Sequence, residues 1–259
     1  MGRRVGSMVA GLLTALIMAL LPIGPAVPAA GAAGNTLPSQ LSLGSDVQQL
    51  VTVTSSGWAD KRATLRTWRR VDGDWELRGK PFVVRLGYGA WVRAGQRKQG
   101  TGATPAGKFT MPYAFGNRAD PGTSMRYRHV DGSDVWPYEP RDRRTYNIFQ
   151  PSRAAGSNWR GDYYERLKSY GREYAYAVVL GFNLPSGVHW SKKRKQQVAD
   201  DPADTARGGG IFLHVQGSEY TAGCVAGPMK QIRRAVRWLD PEKHPRIVMG
   251  PTRWVKQKL

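Results

Sequence analysis

One cysteine and four histidines in 259 residues leave no material for an internal disulfide or for a thiolate metal cluster. Acidic residues are also scarce: 19 Asp plus Glu stand against 39 Lys plus Arg, for a net charge of +20. A partner drawn in by long-range attraction is therefore anionic. Long apolar runs are nearly absent. The exception, residues 9–21, is broken only by Gly11 and Thr14, is short for a bilayer span, and gives way to Pro22, Pro25 and Pro28. No cysteine follows it, which excludes a lipid anchor there. What is present is 41% hydrophobic residues, enough for one sizeable core, so the chain is neither disordered nor fibrous.

Arg3 and Arg4 precede that apolar run and small residues over 25–34 follow it, the order of an export signal. The expected organisation is a signal peptide over 1–33, cleaved between Ala30 and Ala33, a short linker over 34–45, and one domain over 46–259. The product is expected to be secreted, with no stable membrane span once the signal is removed. In an oxidising compartment Cys224 has no partner within the chain, so its free thiol calls for an explanation.

Over 47–86, β-rich runs alternate with turn signals at Ser55-Ser56-Gly57 and Asp72-Gly73-Asp74, predicting a meander with strands over 49–54, 63–68, 75–77 and 82–86. Residues 110–172 are rich in Gly, Pro, Tyr, Trp and Arg without periodicity. They predict long connections, short strands and one helix over 163–169. Apolar strands are expected at 174–182 and 211–215, with a polar loop between them. Pro228 opens a helix whose apolar face is Ile232, Ala235, Val236 and Leu239, ending near Asp240 and Pro241. A last strand at 246–249 completes a mainly β, α+β domain.

The densest chemistry lies in Ile211-Phe-Leu-His214-Val-Gln-Gly-Ser-Glu-Tyr-Thr221-Ala-Gly223-Cys224-Val225. Side chains alternate across a strand, so Ile211, Leu213 and Val215 face a core while Phe212 and His214 face the other way, toward a groove. Cys224 follows a glycine turn ten residues after His214. A cysteine becomes an effective nucleophile when an imidazole or an array of backbone amides lowers its pKa, and both are within reach here. Amides near Gly223 and Cys224 also suit a developing oxyanion, and Thr221 can orient the turn or the imidazole. Residue identity alone favours an inert buried cysteine and a core histidine. Export, the odd thiol and the turn favour chemistry.

This segment resembles the histidine and Ser/Thr-x-Gly-Cys motif of the YkuD-type L,D-transpeptidases. Thr104-Pro105-Ala-Gly107-Lys-Phe109 is similar to that family's Thr-Pro-x-Gly-x-Phe strand entry. The resemblance covers about 46–250 and is nearest to secreted forms from high-GC Gram-positive bacteria. The chain departs from the common form in three places: Ala222 replaces a histidine, Val225-Ala226 replaces an Arg or Asn after the cysteine, and the loop between the catalytic positions is shorter. The resemblance implies a YkuD-like β-sandwich with a few short helices, and a cysteine acyltransferase acting on peptidoglycan stem peptides. It also implies Cys224 as nucleophile and His214 as base. With no carboxylate in this segment as an obvious third member, a backbone carbonyl is left to fix the imidazole tautomer. The alternatives are an L,D-carboxypeptidase, in which water accepts the acyl group, and a non-catalytic basic wall-binding protein.

Other motifs carry less. Gly102 to Lys108 matches the start of a phosphate loop, but Phe109 stands where a magnesium-binding hydroxyl is required. Gly208-Gly-Gly210 lacks dinucleotide spacing and lets the chain bend into the next strand. Lys192, Lys193, Arg194 and Lys195 read as a solvated loop in an exported protein, with anionic wall polymers rather than nucleic acid as the possible partner. Trp136, Tyr146, Trp159 and Trp190 are candidates to line a groove. His129 and His189 lack the spacing of a ligand pair, and His244 follows the last helix, so no metal and no cofactor is expected.

Overall fold

The computed structural model describes residues 1–2, 36–154, 159 and 163–259. Residues 36–259, so far as they are described, belong to one compact unit. The predicted signal peptide, its cleavage region and the start of the linker lie outside the described residues. Among the described residues, no helix is long and apolar enough to cross a membrane.

β1 (Gln49–Ser55), β2 (Arg62–Val71) and β3 (Asp74–Arg85) form the expected antiparallel meander. The two short runs predicted over 75–77 and 82–86 are one strand. Gly79, at φ 73°, lies near a register shift between Leu65 and Thr67 that lets β3 continue through the polar interruption. β4 (Trp91–Arg93), β5 (Thr104–Thr110) and β6 (Ala114–Gly116) follow. Next come β7 (Tyr127–His129), β8 (Val135–Pro137), β9 (Tyr164–Arg166) and β10 (Ala177–Val179). β11 (His189–Ser191), β12 (Gln196–Val198), β13 (Phe212–Val215), β14 (Val225–Gly227) and β15 (Arg246–Pro251) complete the strands. The two α-helices among the described residues are α1 (Met229–Trp238) and α2 (Thr252–Lys258).

Eleven strands share one mixed sheet in the order β4-β5-β15-β1-β2-β3-β14-β13-β10-β6-β7, and β8-β9 and β11-β12 form two small ladders. The mostly β, α+β class is as expected. The helix predicted over 163–169 is instead β9 followed by a 3-10 turn at Leu167–Tyr170, because Tyr164 to Arg166 pair with Pro137 to Val135. The loop between the two apolar strands contains the β11-β12 hairpin, and Arg194 in its turn makes a bidentate contact of 2.9 and 3.0 Å with the buried Asp142.

The main core lies on one face of the sheet. Val51 and Val53 of β1, Leu213 and Val215 of β13 and Val225 of β14 meet Ile232, Val236 and Leu239 from α1 and its C-terminal end. Each fully buried branched side chain contributes about 1.5–3 kcal/mol of transfer free energy. Buried Gln49 ties α1 to β1: its amide nitrogen donates to the Trp238 carbonyl at 2.8 Å and its oxygen accepts from the Asp240 amide at 2.9 Å. On the opposite face Leu50, Trp68, Trp75 and Val248 are covered by Val255 of α2 and by Leu37, Leu41 and Leu43. A third cluster, Phe115, Trp136, Phe149, Tyr174 and Phe212, forms behind β13 and contains Cys224.

Candidate active site

β13 and β14 run parallel, Leu213 opposite Val225 and His214 opposite Ala226. Strand alternation then fixes the faces. Ile211, Leu213, Val215 and Val225 enter the main core, while Phe212 and Cys224 enter the aromatic cluster on the other side. His214 shares that second face, two residues along from Phe212. Its imidazole is edge-on to Tyr174, with centroids 5.3 Å apart.

The turn before Cys224 is held by its own side chains. Thr221 Oγ1 donates to the Cys224 carbonyl at 2.7 Å and accepts from the Gly223 amide at 3.1 Å. The Thr221 amide donates to the Leu86 carbonyl, and the Thr221 carbonyl accepts from the Tyr88 amide, tying the turn to the end of β3. Gly223 has φ 131°, and a Cβ there would come within 2.9 Å of the Ala103 carbonyl and 3.1 Å of Arg97 Nη2. Only glycine fits that backbone.

Cys224 Sγ accepts from the Phe212 amide at 3.3 Å and donates to the Gly210 carbonyl at 3.2 Å. Gly210 is set by a bond from its amide to Asn147 Oδ1 at 2.8 Å, so the glycine run after 207 positions the thiol's acceptor as well as bending the chain. The residue is 8% exposed and opens onto a cavity of about 590 Å³, lined also by Tyr88, Arg97, Gln99, Tyr138 and Glu165. Burial, reinforced by the charge of Glu165, pushes the thiol up to about 12 against the opposing pull of the Phe212 amide and Arg97.

His214 Nδ1 lies 2.9 Å from the Val215 carbonyl. A carbonyl only accepts, so the proton sits on Nδ1 and Nε2 keeps its lone pair. Burial pulls the ring down to about 4, although the carbonyls of Val215 and Glu173 favour its protonated form. The resting pair is thus a neutral thiol and a neutral imidazole near pH 7, not the ionised sulfur expected from spacing. Among the described residues no hydrogen bond joins the imidazole to Sγ, and His214 does not line the cavity.

Two charged residues that sequence reasoning missed stand at the thiol. Glu165, at the centre of β9, accepts from the Tyr174 hydroxyl at 2.7 Å. Burial raises its carboxyl to about 7, opposed by hydrogen bonds from Tyr174 and Tyr138. Arg97 lies in the connection from β4 to β5, where the polar sequence around it resembles an exposed loop, yet it is buried. Of the aromatic residues considered for a groove, Trp136 and Tyr146 are fully buried, Trp159 donates to the Thr145 hydroxyl, and Trp190 stacks with Arg153. His189 lies beside Asp200 and His129 is on β7, both outside this cavity.

Residues 58–249 match the family model of YkuD, the L,D-transpeptidase catalytic domain. Neither curated proteins nor solved structures yield a match. With that match spanning most of its length, the chain belongs to the YkuD L,D-transpeptidase catalytic-domain family.

Proposed function

We propose that this protein is an exported L,D-transpeptidase of the secreted actinobacterial type, which joins peptidoglycan stem peptides in the cell wall through a thioester on Cys224. The observation that carries this reading is a single thiol at the wall of an open cavity, on the same sheet face as a histidine whose Nε2 is left basic.

In the cycle, Sγ attacks the carbonyl that precedes the terminal residue of a donor stem. The thiol proton moves to His214 Nε2 as the S–C bond forms, since neither group is ionised at rest. Ring and sulfur are not hydrogen-bonded without substrate, so this transfer follows binding; catalytic hydrogen bonds commonly tighten only in the complex. The tetrahedral oxyanion is held by the amide of Cys224, because the Gly223 amide is engaged by Thr221. Collapse breaks the C–N bond, and the imidazolium gives its proton to the leaving amine. An acceptor amine then attacks the thioester, loses its proton to His214, and the C–S bond breaks with return of the proton to sulfur.

The test is product formation from a stem tetrapeptide with and without an amine-bearing acceptor. Wild type is expected to give a cross-linked peptide in the presence of acceptor, and Cys224→Ala none. Hydrolysis alone would make the protein a carboxypeptidase. Unchanged cross-linking by Cys224→Ala would leave an exported basic binder, held to anionic wall polymers by its excess of Lys and Arg over Asp and Glu.

A further inference from the structure

Arg97 is 5% exposed, and among the described residues no carboxylate pairs with it. Its Nε donates to the Ala103 carbonyl at 2.9 Å and its Nη1 to the Arg207 carbonyl at 2.6 Å, while the guanidinium lies over the Phe182 ring at 5.5 Å. These contacts fix the plane of the group but do not neutralise it. A buried cation without a counter-charge is costly, so an anion that reaches it is favourably held. The third nitrogen, Nη2, lies beside the Gly223 turn, 3.1 Å from where a Cβ would stand. Arg97 itself lines the cavity next to Cys224. The two residues that follow the thiol, Val225 and Ala226, are buried and bring no charge to it.

Arg97 does not hold the sulfur, whose hydrogen bonds go to the Phe212 amide and the Gly210 carbonyl. Its position is displaced by one residue toward Gly223. In a donor peptide attacked at the carbonyl before its last residue, the terminal carboxylate lies about one residue, or about 3.5 Å, beyond the reacting carbon. A guanidinium with its plane fixed in the wall of the cavity suits that group through charge-assisted hydrogen bonds.

We propose that Arg97 binds the terminal carboxylate of the acyl-donor peptide and makes the site selective for a free C-terminus. This inference rests on Cys224 being the nucleophile, and the experiment separates the two. Wild type, Arg97→Gln and Arg97→Lys are each given two donors of identical sequence, one ending in a carboxylate and one in a carboxamide. Acylation of Cys224 is followed by mass spectrometry, and folding of each variant by circular dichroism.

Wild type is expected to prefer the carboxylate donor by at least about 30-fold in kcat/KM, the lower end for a buried charge pair. Arg97→Gln should bring that ratio close to one by raising KM for the carboxylate donor, while the loss of the guanidinium's pull on the thiol slows both donors alike and by itself leaves the ratio untouched; Arg97→Lys should retain part of the preference. Equal use of both donors by wild type overturns the proposal without any variant. So does an Arg97→Gln protein that slows both donors by the same factor. If neither donor acylates Cys224 in wild type, the nucleophile assignment fails first.

Discussion

The Tyr174 hydroxyl donates to the Glu165 carboxyl at 2.7 Å while the Tyr174 ring packs edge-on against His214. One aromatic side chain therefore touches two titratable groups of the site. The hydroxyl is one of the influences holding the Glu165 carboxyl down against burial. Tyr174→Phe keeps the ring and removes the donor. The Glu165 titration is then expected to move upward from about 7, read from the pH dependence of Cys224 alkylation. An unchanged midpoint would show that the hydroxyl does not govern the carboxyl.

Glu165→Gln should make the thiol more reactive. The carboxylate's charge is the second largest cause of the raised thiol pKa, after burial. Its removal should increase the iodoacetamide rate at pH 8 by roughly tenfold if about 1.4 kcal/mol is relieved. At pH 6 the native carboxyl is largely protonated, so the same substitution should change little. Equal acceleration at both pH values would contradict the assignment.

Stability should depend on pH in two opposing ways. The Glu165 carboxyl is raised from 4.5 to about 7, so its favourable contribution is complete below 4.5 and is lost as pH rises through 7. The His214 ring is lowered from 6.5 to about 4, so its contribution is complete above 6.5 and is lost as pH falls through 4. Urea denaturation of wild type and Glu165→Gln at pH 5 and pH 8 isolates the first. The stability of the variant minus that of wild type should rise between pH 5 and pH 8, and a fall in that difference would contradict the assignment.

Phe212 is fully buried, with ring centroids 4.8 Å from Trp136, 5.1 Å from Phe115 and 5.7 Å from Tyr174. Phe212→Ala is expected to cost about 3–5 kcal/mol in denaturant unfolding. Phe212→Leu should cost much less, because more of the volume is kept. Equal losses would mean that ring packing is not what holds this face.

That Phe212 and His214 leave the main core on its opposite side was legible from strand alternation, but that this side is a buried aromatic cluster rather than an open groove was not, because Phe115, Trp136 and Tyr174 reach it from distant segments. The α1 face was legible within its own segment, since Ile232, Ala235 and Val236 recur at helical spacing and are buried. Arg97 and Glu165 were not, for each sits in a stretch without periodicity and reaches Cys224 only through long-range pairing of strands. α2 escaped because seven residues with one buried side chain, Val255, give too short a pattern. The merger of two runs into β3 escaped because Gly79, Lys80 and Pro81 read locally as a break, whereas pairing with β2 carries the strand across it.

The central claim is a covalent acyl group on one sulfur, and intact-protein mass spectrometry after brief exposure to a donor tetrapeptide and acid quenching tests it most directly. The account predicts one adduct, equal to the donor less its terminal residue, mapped to Cys224, released by hydroxylamine and absent from folded Cys224→Ala. Cross-linked product formed by that variant, or by wild type with the acyl group on any other residue, would contradict it.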